Sequence, residues 1–115
     1  DISNPKKVKE ISKKVLKNYD DTEVLYNPNA LYINTEKKEF GFCVESYGKG
    51  TKDYGGYDYL LYNYDEAKGL TLKAKNVLIK DNTGYQELQA RGFRIENDFY
   101  IVSVAEKIKA MCVKE

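Results

Sequence analysis

The chain is 115 residues long, with 19 basic against 18 acidic side chains, 42% hydrophobic residues, and neither histidine nor tryptophan. That is the length of one ordinary domain with a globular composition, which excludes global disorder and a core too small to hold without staples. Lacking histidine, it has no Ser–His or Cys–His nucleophile pair and, with two cysteines, no usual zinc ligand set; no apolar run approaches the ~20 residues of a membrane helix.

In chain order, Asn4-Pro5 opens a helix predicted over residues 5–18, since asparagine caps and proline suits the first helical position. Val8, Ile11, Val15, Leu16 and Tyr19 recur on one face of it. Glu23–Tyr26 reads as a short strand and Asn27-Pro28-Asn29 as a turn. Alternation at Leu31 and Ile33, then at Phe40, Phe42 and Val44, predicts a hairpin pairing about 30–35 with 39–47. Gly48–Gly56 is a loop that resembles a phosphate-binding loop only in composition, because its glycine spacing is wrong and a strand follows it. Tyr57–Tyr64 returns to strand, with Tyr57, Tyr59 and Leu61 on one side and Leu60, Tyr62 and Tyr64 on the other. Leu70, Leu72 and Ala74 alternate next, and Val77–Lys80 is a further strand or a continuation.

Thr83 is placed to cap a short helix, Gly84–Arg91, stopped by Gly92. Phe93–Glu96 and Phe99–Val102 flank Asn97-Asp98 as a second hairpin. Ser103 stands three residues before Glu106, the capping-box spacing, so 104–113 is predicted helical with Val104, Ile108, Met111 and Cys112 on one face. The fold expected is a single α+β domain over 1–115: an antiparallel sheet with an N-terminal helix, a short internal helix and a C-terminal helix packed on it.

A balanced total charge hides an order along the chain. Residues 1–17 carry six lysines against Asp1 and Glu10; residues 18–66 carry four lysines against ten Asp and Glu; residues 67–115 carry nine basic against six acidic side chains. The acidic middle also holds Tyr47, Tyr54, Tyr57, Tyr59, Tyr62 and Tyr64. Tyrosine supplies large contact area at low entropic cost, with a hydroxyl at its tip. Tyr47, Asp53, Tyr54, Tyr57, Asp58 and Tyr59 are therefore the candidate surface for a basic protein partner. The alternative is a nucleic-acid or nucleotide binder using Lys6, Lys13 and Lys17 of the basic helix with Arg91 and Arg94. That reading is weaker, because the helix lacks side chains placed to read bases.

No catalytic motif, cofactor or metal is indicated, so the chain is read as non-catalytic. Lysine outnumbers arginine 17 to 2, with frequent Asn and Tyr, as AT-rich codons dictate. This profile suits a bacterial or phage gene, and the function expected is an inhibitor of a host nucleic-acid-handling or defence protein. Both cysteines are expected reduced, in a cytoplasmic, membrane-free setting. An unpaired Phe99–Val102 or Tyr57–Tyr62 strand at a sheet edge is the expected route to a homo-oligomer.

Overall fold

The computed structural model describes residues 19–46, 56–79, 87–105 and 107–114, together with 10, 11, 13, 14 and 17 of the N-terminal segment. Within them the chain is a β protein, not the α+β domain expected. β1 (Tyr32–Asn34), β2 (Glu39–Ser46), β3 (Gly56–Asp65) and β4 (Gly69–Ile79) form one antiparallel sheet in the order β1-β2-β3-β4. β5 (Gln89–Ile95), β6 (Asp98–Val104) and β7 (Ile108–Val113) form a second in the order β5-β6-β7. Within each sheet every strand pairs with its neighbour in sequence, as short connections favour.

The alternation in the sequence builds the first sheet. Phe40 pairs with Tyr62 and Phe42 with Leu60 across β2 and β3. Both phenylalanines stack on the Tyr62 ring, with centroids 5.6 and 6.5 Å away. Fully burying a side chain of this size contributes about 1.5–3 kcal/mol. β4 runs unbroken to Ile79, with irregularities in its pairing to β3 at Tyr57/Asp58 and Leu61/Tyr62. Such bulges add twist to a sheet.

Several predicted elements are corrected. Glu23–Leu25 is a 3-10 turn rather than a strand, because the Thr22 side chain accepts the Val24 N–H and caps it. Pro28–Ala30 is a second such turn, capped by Asn27. Gln89–Arg91, assigned to the end of a short helix, is the start of β5; the beginning of that predicted helix lies outside the described residues. The C-terminal helix is replaced by β7. Ile108, Ala110 and Cys112 alternate with Lys109, Met111 and Val113, and each pairs with a residue of β6 from Val104 to Phe99. Ser103, the supposed cap, is a buried strand residue. Of the N-terminal helix, Glu10, Ile11, Lys13 and Lys14 are helical, Ile11 is buried, Lys17 is in a 3-10 conformation, and the rest lies outside the described residues. Phe99–Val102 and Tyr57–Tyr62 are not edges: β6 and β3 are each flanked on both sides.

The first sheet is covered on both faces. On one, Ile11, Val24 and Tyr19 pack against Phe40, Phe42, Val44 and Leu60. On the other, Tyr59 and Leu61 meet Ala90, Phe99, Ile101 and Val113 of the second sheet. Tyr59 is the hub of this second layer. Its ring lies across Gly41, where a Cβ would stand 2.8 Å from its Cε1, and faces Gly92, where a Cβ would stand 2.8 Å from its Cζ and closer still to its hydroxyl and to Phe99 Cζ. Gly92 is therefore no helix stop. It sits in mid-strand because the sheets approach too closely there for any side chain.

One buried charge cluster ties the sheets together. Glu39 of β2, with no exposed surface, accepts hydrogen bonds from Arg94 Nη2 (2.9 Å), the Tyr32 hydroxyl (2.6 Å) and Lys73 Nζ (3.1 Å), with Arg94 Nε on its second oxygen. Burial alone would raise this carboxyl, but the bonds from Arg94, Tyr32 and Lys73 outweigh it and hold it down at about 2. Arg94 also lies over the Phe99 ring, 5.6 Å from its centroid.

Candidate protein-interaction surface

Part of the acidic middle of the sequence, Asp20, Asp21 and Glu45, is gathered at one corner by backbone pairing. Asp21 forms an isolated antiparallel bridge with Glu45 near the end of β2. The Asp20 and Asp21 amides both donate to the Glu45 carbonyl, and the Glu45 amide donates back to Asp21. Thr22, buried beside them, donates its hydroxyl to the Cys43 carbonyl and so pins the following 3-10 turn to β2. The Tyr57 hydroxyl bonds the Glu45 carboxylate and the Leu88 amide, which brings Glu87 to the same corner. Burial and contact with Glu45 push this phenol up to about 12.

The electrostatics record the crowding. Burial first, then Asp21, Glu87 and Asp20, raise the Glu45 carboxyl, against the lowering by its Tyr57 bond. Tyr26 stands in this field with 73% of its surface exposed. Its hydroxyl is raised by partial burial and by Asp21, Glu23, Glu87 and Glu45. Glu23 is different: Arg91 holds it in a two-pronged pair at 2.8 and 2.9 Å and Asn27 adds a third bond, so its carboxyl is lowered despite some burial.

The predicted site residues divide. Tyr47, Asp53, Tyr54 and Lys6 lie outside the described residues. Tyr57 and Tyr59 are buried at 7% and 1% exposure, so they serve the packing between sheets rather than a free surface. Asp58 is half-buried on the opposite face, accepting the Tyr19 hydroxyl at 3.2 Å and lying 3.8 Å from Lys75. Lys13 and Lys17 are exposed. Arg91 and Arg94 do not converge: one is held by Glu23, the other by Glu39. An anion reaching either guanidinium must displace a carboxylate. Tyr26, Glu45 and Glu87 were missed. The charge segregation already located the acidity, but only the fold adds Glu87 and exposes Tyr26.

Among the described residues no group of three or more potential ligands could hold a metal ion, and no helix is long and apolar enough to cross a membrane. A cavity of about 250 Å³ opens beside Leu78, Ile79, Leu88, Ser103, Ala105, Lys107 and Lys109.

The whole chain, residues 1–115, matches the family model described as beta propeller domain. The chain belongs to that family. No curated protein and no solved structure matches it. Propeller blades are four-stranded sheets arranged radially around a channel, typically 4–8 of them. The first sheet has four antiparallel strands in meander order, the strand number of such a blade. The second, of three strands, packs on it so that β5 lies across β2 and β1.

Proposed function

We propose that the chain is a non-catalytic protein-binding module that receives a basic segment of a partner protein at the acidic corner. The observation that carries this reading is Tyr26, exposed to 73% among Asp21, Glu23, Glu45 and Glu87. Aromatic anchors supply much of the energy of protein interfaces, while surrounding charges speed encounter and choose the partner. Like charges held together also cost the free protein stability, a cost that a cationic partner relieves. Inhibition of a basic, nucleic-acid-handling protein in the cytoplasm is the setting this chemistry suits, with the two free cysteines in keeping with a reducing compartment.

The test is titration with a panel of Lys/Arg-rich peptides at low and moderate salt. Binding is expected to weaken with salt, and Tyr26→Ala should cost about 2 kcal/mol, roughly 30-fold in affinity. Lowering the pH should weaken binding early, because Glu45 takes up its proton above the ordinary carboxylate range; Glu45→Gln should remove that early phase. Equal binding by wild type, Tyr26→Ala and Glu45→Gln would remove the corner from consideration.

A further inference from the structure

The second sheet turns one face toward the first, and that face changes character at one end. Most of it is apolar, with Ala90, Phe99, Ile101 and Val113 in the core between the sheets. Along β6 the inward residues run Phe99, Ile101 and then Ser103. Ser103 pairs with Ala90 on one side and Lys109 on the other, so a hydroxyl and a lysine share one inward row. Two residues on, Leu88, Ala105 and Lys107 form the next row, where the Ala105 amide donates to the Lys107 carbonyl at 3.2 Å. The cavity of about 250 Å³ lies against these two rows, and Leu78 and Ile79 at the end of β4 supply its wall from the first sheet. It stands where the two sheets part.

Every polar side chain in the lining can donate a hydrogen bond. Ser103 is only 8% exposed, yet its hydroxyl makes no hydrogen bond among the described residues and is not sealed as the Tyr59 hydroxyl is. Its open side is the cavity. Among the described residues neither Lys107 nor Lys109 is in an ion pair, whereas Lys73 and Lys75 have Glu39 and Asp58. Both cavity lysines are exposed, so their ammonium groups stand at the mouth. Among the described residues no carboxylate lines the cavity, and Glu87, next to Leu88, belongs to the acidic corner. Two like charges at one mouth repel, and an anion between them relieves both. Leu78, Ile79 and Leu88 favour an apolar body behind that anion. The volume lies below the roughly 300–1,000 Å³ of drug-sized sites, so the occupant is small. We propose that this cavity binds a small carboxylate with an apolar body, its oxygens accepting from Ser103, Lys107 and Lys109 and its body lying against Leu78, Ile79 and Leu88. The site is additional to the protein-binding corner and does not rest on that reading.

Titration of the full chain with phenylpropionate, followed through its amide chemical shifts, tests it. Saturable shifts are expected at Leu88, Ser103, Ala105 and Lys109, with a dissociation constant in the high micromolar to low millimolar range that so small a ligand allows. Phenylpropanol and acetate should each bind about ten-fold more weakly or worse, one lacking the charge and the other the apolar body. Lys107→Gln combined with Lys109→Gln should weaken phenylpropionate by about ten-fold while leaving circular dichroism and the binding of Lys/Arg-rich peptides unchanged. Ser103→Ala should weaken it by about five-fold, one hydrogen bond to a charged group. The absence of saturable shifts up to about 10 mM overturns the site, since weaker binding lies below what these contacts supply. Equal binding of acid and alcohol overturns it too, as do full affinity in the double lysine variant and shifts confined to residues away from the cavity. Unfolding of the double lysine variant also counts against it, because the lysines would then belong to the packing and not to a mouth. None of these outcomes bears on the acidic corner, which the peptide titration addresses separately.

Discussion

Glu39→Gln is expected to lower the unfolding free energy by about 3–5 kcal/mol, the range for removing one member of a buried ion pair. The cost comes from the partner left behind. Arg94 has only 7% of its side chain exposed and reaches Glu39 across the sheet interface, so losing the carboxylate takes the acceptor from its Nε and Nη2, while Nη1 keeps the Asn97 carbonyl. Lys73, at 34% exposure, can swing outward and suffers less. A paired replacement, Glu39→Leu with Arg94→Leu, should recover most of the loss, since apolar side chains of similar volume often match or exceed a buried ion pair. The pH dependence follows the same pair. With its folded-state value held at about 2, Glu39 contributes its full stability above the ordinary carboxylate range. That contribution is lost as pH falls from there toward 2. Urea midpoints measured across this window should fall steeply for wild type and less for Glu39→Gln. A variant within 1 kcal/mol of wild type at neutral pH, roughly the worth of a surface pair, would show the cluster to be solvated.

Gly92→Ala should be more damaging than an added methyl at Gly41 or Gly69. The added Cβ overlaps the Tyr59 hydroxyl and Phe99 Cζ, and both rings are fixed, at 1% and 0% exposure. Overpacking of this kind costs about 1–3 kcal/mol where neighbours can shift, and the upper end or beyond where they cannot. At roughly 4 °C per kcal/mol the melting temperature falls by about 12 °C. Relief should come from the other side of the contact: Tyr59→Phe removes the hydroxyl that meets the new methyl. That hydroxyl is buried without a hydrogen-bond partner among the described residues, so its deletion alone should be tolerated. If Gly92→Ala melts with wild type, the close approach of the sheets is wrong.

What the sequence could and could not disclose follows from range. The hairpins around Phe40 and around Asn97 were legible because alternation and turn residues are local signals. So was the division of the tyrosines, with Tyr57 and Tyr59 facing away from Tyr62 and Tyr64. The C-terminal strand was not. Val104, Ile108, Met111 and Cys112 fit a helical period, and Ser103 with Glu106 fits a cap; what decides for strand is pairing with β6, a contact outside that window. Gly92 misled for the same reason. A glycine that ends a helix and one that admits a facing ring look alike in sequence, and only the Tyr59 ring tells them apart. The acidic corner was half legible: the charge segregation was visible, while the arrival of Glu87 depends on where β5 begins.

The one-sided burial of the second sheet has a consequence for how the molecule opens. β3 is flanked by strands on both sides and covered on both faces, so its amides exchange with solvent only when the whole structure opens. β7 buries only Val113 and is bordered by β6 alone among the described residues. Its amides should exchange through local fraying, well before global unfolding. Protection therefore grades across the molecule from β7 inward, and β7 is the strand most ready to let go.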